Sequence, residues 1–144
     1  MNQNKAVLLV EDDELDRMFF ERAYSRSGFD NPLLKVRTEE QAQSYLRGDG
    51  HFGDRGKYPF PGLIVLDLTL PDKNGLELVR WLRQRAETKG VAIVILGSTG
   101  NPVEQEEATR LGVDGYHQKP GSLDDLNRLV REILRRWLAE DKEK

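Results

Sequence analysis

Leu63-Ile64-Val65-Leu66-Asp67 is the stretch on which the fold turns. Consecutive apolar residues with no polar alternation read as a strand covered on both faces, the pattern of a buried parallel sheet. Its C-terminal end runs directly into a carboxylate. Upstream, 6–10 (Ala-Val-Leu-Leu-Val) has the same form and ends in Glu11-Asp12-Asp13. Weaker strand signals lie at 33–36, at 91–96 and around Tyr116, the last ending in Gln118-Lys119-Pro120.

Helical signals fall between these strands. Leu15, Met18, Phe19 and Ala23 recur at helical spacing opposite Glu14, Arg17, Glu21 and Arg22, up to Ser27-Gly28. Thr38 and Gln41 form a capping-box pattern for a second helix that stops near Gly48. The stretch 48–62 is rich in Gly, Pro and charge and reads as a long loop. Beyond the turn at 71–75, Leu76, Val79 and Leu82, with Leu78 and Trp81 beside them, predict a third helix. Asn101-Pro102 and Glu104 open a fourth, which Gly112 terminates. Ser122 caps a fifth that carries Leu123, Leu126, Leu129, Val130, Ile133, Leu134 and Trp137.

Strands alternating with helices call for an α/β architecture, because parallel neighbours need crossover connections and these lay helices over the sheet. The expected fold is a doubly wound five-stranded parallel sheet with helices on both faces. Residues 1–144 are expected to form a single domain, with a frayed charged tail at 140–144.

Composition narrows the function. The chain has 144 residues, 38% hydrophobic and 33% charged, which suits one core. No apolar run is long enough to span a bilayer, and the N-terminus turns acidic where a signal peptide would stay apolar, so a cytoplasmic location is expected. Without cysteine, thiolate metal sites and a cysteine nucleophile are excluded. With 22 basic against 25 acidic residues, the net charge of -3 provides no field for nucleic acid or an anionic membrane, which leaves proteins as partners. Surplus apolar surface on the last helix is compatible with a homodimer.

In doubly wound sheets, ligands bind beyond the carboxyl ends of the strands. Glu11, Asp12, Asp13, Asp67 and Lys119 all stand at such ends. An acidic run alone is most often a solvated helix start. Combined with Asp67 and Lys119 at matching positions, it instead describes carboxylates that repel unless a hard cation neutralises them, and oxygen donors of this kind suit Mg²⁺. A carboxylate on a rigid strand tip, beside Mg²⁺ and an ammonium, is placed to attack phosphorus, giving an aspartyl phosphate on Asp67.

VEDD after the first strand, IVLDLTLPDKNG around Asp67 and YHQKP at the fifth strand closely resemble the bacterial response-regulator receiver family over nearly the whole chain. The resemblance implies a flavodoxin-like (βα)5 receiver fold. It places Mg²⁺ on Asp12 directly, on Glu11 through water, on Asp67 and on the backbone carbonyl of Thr69, with Asp13 an accessory acid. It makes Asp67 the phosphoacceptor, Lys119 the phosphate-binding cation, and Pro71 and Gly75 the turn. Tyr116 takes the place of the aromatic switch residue. A histidine kinase or phosphotransfer protein is the implied phosphodonor and a downstream protein the target. The Pro-rich loop and the lack of an output domain are similar to single-domain regulators paired with phytochrome-type kinases.

One position departs from the family. Counting back from Lys119 without a gap, the usual Thr or Ser hydroxyl falls on Gly97, with Ser98 next, and a one-residue bulge would let Ser98 stand in. The alternative function is therefore a phosphorylation-independent docking module of receiver-like fold. Retention of Glu11, Asp12, Asp67 and Lys119 argues against it, since a scaffold has no use for mutually repelling acids. An aspartyl phosphatase would resemble D-x-D, where this chain has Asp67-Leu68-Thr69, and a nucleotide-binding fold would carry a glycine-rich turn after the first strand. A transcription factor would need a further DNA-binding module beyond the fifth helix.

Overall fold

The computed structural model describes residues 5–68, 75–97 and 102–139. Five strands, β1 (Ala6–Val10), β2 (Leu33–Val36), β3 (Pro61–Leu66), β4 (Ala92–Gly97) and β5 (Gly115–Gln118), form one sheet in the order β2-β1-β3-β4-β5. Every neighbouring pair is parallel, as continuous apolar strands joined by helices require. The helices are α1 (Glu14–Ser25), α2 (Glu39–Arg47), α3 (Gly75–Gln84), α4 (Pro102–Leu111) and α5 (Leu123–Leu138).

Alternation along the strands divides the core into two layers. Leu8, Val10, Ile64, Leu66, Ile93 and Ile95 face α2, α3 and α4, where Tyr45, Leu78, Val79, Leu82 and Ala108 cover them. Val7, Leu9, Leu63, Val65, Val94 and Leu96 face α1 and α5, against Phe20, Ala23, Tyr24, Val130, Ile133 and Leu134. Most of these side chains are fully buried, each contributing about 1.5–3 kcal/mol relative to exposure.

Local signals behave as read at several ends. Thr38 Oγ1 accepts from the Gln41 amide at 3.0 Å, while Gln41 Oε1 reaches back to the Arg37 amide at 2.8 Å. Ser122 Oγ accepts from the Asp125 amide at 3.1 Å, capping α5. Gly48 (φ 75°) and Gly112 (φ 96°) close α2 and α4 in the left-handed conformation that favours glycine.

Other expectations need correction. Leu15 and Met18 do not face the core: they are 56% and 45% exposed, and α1 buries Phe20, Ala23 and Tyr24 instead. Strand β1 ends at Val10, and α1 packs on the sheet through its later turns, leaving Leu15 and Met18 to solvent. The stretch 48–62 is not merely irregular. It holds a 3-10 turn (Gly50–Gly53) and seats Phe52 and Tyr58 on Tyr45, with ring centroids 5.1 and 6.1 Å away. Strand β3 begins at Pro61, paired with Ala6, because a proline is tolerated at the first residue of a strand. Strand β4 reaches Gly97, whose carbonyl accepts the Lys119 amide at 2.8 Å.

Candidate functional site

Strand register brings the site together. Val10 pairs with Leu66, and the Asp67 amide donates to the Val10 carbonyl at 3.1 Å, so Glu11 and Asp67 leave the sheet at one level. On the other side of β3, Leu66 pairs with Ile95 and Gly97 with Gln118, which sets Lys119 at the same edge. Behind Asp67, the α3 start comes in close: the Gly75 amide donates to the Leu68 carbonyl at 2.8 Å. A Cβ on Gly75 would lie 2.8 Å from the Leu68 Cα and 2.9 Å from the Asp67 carbonyl oxygen, so only glycine fits.

The side chains converge around an ammonium. Lys119 Nζ donates to Asp16 Oδ2 at 2.7 Å, Glu11 Oε1 at 3.1 Å and Asp67 Oδ2 at 3.3 Å. Glu11 and Asp67 are 4% and 7% exposed. Glu11 Oε2 also accepts from the Asp13 amide at 3.1 Å. Beside these groups lies a cavity of about 330 Å³, whose other wall includes Phe19, Phe20, Leu96 and Leu126.

The electrostatics follow from that crowding. Burial, and next the Asp67 carboxylate, push the Glu11 carboxyl up to about 7, although Lys119 pulls the other way. Burial alone would lower the Lys119 ammonium, but its bond to Asp16 and the charges of Glu11 and Asp67 outweigh it and hold the group above its ordinary range. Lys119 is the cation that meets the side chains of Glu11, Asp16 and Asp67. Buried, mutually repelling oxygen donors are the chemistry a hard divalent ion relieves, so the residues present fit such an ion. Among the described residues no three Asp, Glu or His side chains already converge as a metal cage; the ammonium lies between the acids.

The other expected residues are placed as follows. Asp12 is exposed at the loop after β1. Asp13 is the N-cap of α1, its Oδ1 accepting from the Asp16 amide at 3.0 Å, because a carboxylate just before a helix finds that helix's unpaired amides first. Tyr116 packs against the α2, α3 and α4 layer, and its hydroxyl donates to Glu104 Oε1 at 3.4 Å. Burial, then the Glu104 carboxylate, raises that phenol above its ordinary range. The β4 to β5 pairing stays in register from Val94↔Gly115 through Gly97↔Gln118, so no bulge precedes Gly97. Thr69, Pro71 and Ser98 lie outside the described residues. Asp16 was not anticipated. Nothing local in the sequence marks it, since its link to Lys119 spans 103 positions.

A parallel five-stranded sheet with buried acids and a lysine at one edge is the receiver arrangement, and the family model for the response regulator receiver domain matches residues 7–131. The chain belongs to the response-regulator receiver family. It is 31% identical over 137 residues to response regulator Rcp1 of Synechocystis, covering 95% of this chain and 91% of Rcp1. The crystal structure of the phosphorylated cyanobacterial phytochrome response regulator RcpA superposes with a TM-score of 0.86 at 29% identity, covering 94% of this chain and 95% of RcpA. The Mn²⁺-bound form of Rcp1 superposes with a TM-score of 0.84 at 31% identity, covering 95% and 96%. As a receiver domain the chain is a two-component signalling switch driven by phosphorylation, of a family that binds a divalent metal and is served by histidine kinases. Among the described residues no helix is long and apolar enough to cross a membrane.

Proposed function

We propose that Asp67 is the phosphoacceptor of a cytoplasmic response regulator acting with Mg²⁺ and Lys119. The observation that supports this most is the convergence of Glu11, Asp67 and Lys119 at one sheet edge. A carboxylate oxygen of Asp67 attacks the phosphorus of a kinase phosphohistidine. The P–O bond to Asp67 forms as the P–N bond breaks, and the electron pair returns to the imidazole. Lys119 then offsets charge on the transferred phosphoryl oxygens. Glu11, Asp12, Asp67 and the Thr69 carbonyl are the residues that would hold Mg²⁺, which when bound supplies further charge neutralisation at those oxygens.

Exposed Leu123 lines the cavity beside Asp67 together with Phe19 and Leu126, and exposed Leu15 and Met18 on α1 add apolar surface that would seat the donor protein. The likeness to RcpA supports a phytochrome-type kinase as that donor. The output is a contact with a downstream protein. The test is reaction with a small acyl phosphodonor followed by intact-mass measurement. One phosphoryl group is expected with Mg²⁺ and none with a chelator; no uptake in either would favour the phosphorylation-independent docking module.

Metal binding should separate the two acids after β1. In Asp12→Ala, Mg²⁺ affinity is expected to fall by about 10- to 100-fold, and in Glu11→Gln by less, because a direct ligand matters more than one acting through water. Calorimetric titration measures both, and an unchanged affinity in Asp12→Ala would rule out the ligand set.

Gly97 bears on output. The regular pairing through Gly97 leaves that position without a side-chain donor. A missing charge-assisted bond is worth about 1.5–3 kcal/mol, so the phosphoryl group should be weakly coupled to Tyr116. NMR of the Tyr116 ring with a phosphoryl mimic should show a small change in the natural sequence and a larger one in Gly97→Thr. A full shift in the natural sequence, unaffected by Ser98→Ala, would show that the donor is not limiting.

A further inference from the structure

Lysine carries three N–H donors, and all three of those on Lys119 are taken: by Glu11, Asp67 and Asp16. A phosphoryl group on Asp67 brings new anionic oxygens, and Lys119 can bind one only by releasing an acceptor it already holds. Glu11 is a poor choice. Its side chain is 5% exposed, so losing the cation would leave a buried carboxylate beside another acid. Asp67 is the residue being modified. Asp16, whose side chain is 40% exposed on the first turn of α1, can return to water at least cost. It also holds the shortest of the three bonds, at 2.7 Å. Its backbone is pinned by the Asp13 cap, so its carboxylate stays at the cavity wall after the ammonium leaves.

Resting on the assignment of Asp67 as acceptor, we infer that Asp16 is a positioning residue that competes with the phosphoryl oxygens for Lys119. Asp16 thereby restrains acyl-phosphate formation: the exchange of Lys119 from Asp16 to phosphate accompanies phosphorylation, and the reverse exchange accompanies its loss.

The experiment measures binding of beryllofluoride with Mg²⁺, and the rate of phosphorylation by a small acyl phosphodonor, in the full chain. Asp16→Asn removes the charge and keeps the shape. It is expected to tighten beryllofluoride binding and speed phosphorylation by about three- to tenfold, the range for a partly exposed charged pair, with the fold intact. Asp16→Glu, which keeps a carboxylate at that turn, should restore the natural values to within about twofold. In a Lys119→Met background the gain from Asp16→Asn should vanish, because the competition has lost its object. Unchanged binding and rate in Asp16→Asn, with the natural sequence phosphorylated normally, would overturn this inference alone. An equal gain in the Lys119→Met background would also overturn it, showing Asp16 to be a simple repeller of anions. If the natural sequence takes up no phosphoryl group, the acceptor assignment falls and this inference with it.

Discussion

Asp67→Asn is expected to abolish phosphoryl uptake at every donor concentration, a loss of more than about 100-fold that no neighbouring acid can rescue. An amide oxygen is a feeble nucleophile toward phosphorus and cannot give a stable acyl phosphate, whereas the substitution keeps size and shape. The neighbours are poorly placed to take over. Glu11 is almost fully buried, with one oxygen on Lys119 and the other on the Asp13 amide. Asp16 sits on α1, its carboxylate tied to Lys119 rather than fixed at a strand tip. Asp67 alone follows the central strand, its amide anchored to Val10 and its back closed by Gly75. Intact-mass measurement after reaction checks the expectation; uptake by Asp67→Asn at the natural rate would move the acceptor elsewhere.

The second large effect concerns Lys119→Met. Removing the ammonium strands Glu11 and Asp67 as neighbouring acids with little water. Breaking a fully buried pair from one side costs about 3–5 kcal/mol; Lys119 retains some exposure and Glu11 can protonate, which reduces the expected loss to about 1–3 kcal/mol. For a chain of this size that corresponds to a fall of roughly 3–10 °C in melting midpoint without divalent cation. With Mg²⁺ the fall should shrink, since the bound ion replaces the missing positive charge and gains affinity once the competing ammonium is gone. Thermal melts in chelator and in Mg²⁺ give the comparison. Equal destabilisation in both would mean that the lysine and the metal do not share the same acids.

What was legible in the sequence follows from what sequence patterns encode. Strands such as 63–66 and 6–10 announce themselves because a sheet covered on both faces leaves no polar alternation, and the acids that follow them are then placed by register without further information. Thr38, Ser122 and Gly112 were readable because caps and helix stops are settled within a few residues. The failures are tertiary. Helical spacing marked Leu15 and Met18 as core, but spacing does not say where the sheet beneath a helix stops. Composition marked 48–62 as loop, but not that Tyr45, sitting on α2, would gather Phe52 and Tyr58 around it. Asp16 meets Lys119 because the lysine, leaving the end of β5, reaches back along the sheet edge to the acids that follow β1 and β3, a consequence of topology.

The central claim is that this chain carries its signal as an acyl phosphate on Asp67, and site-resolved mass spectrometry tests it most directly. The natural sequence is treated with a small acyl phosphodonor and Mg²⁺, digested, and the modified peptide is sequenced before and after hydroxylamine, which cleaves acyl phosphates and spares phosphate esters. The expected result is a single phosphoryl group on the peptide that contains Asp67, dependent on the divalent cation and removed by hydroxylamine. A phosphoryl group on any other residue, or one that survives hydroxylamine, would contradict it.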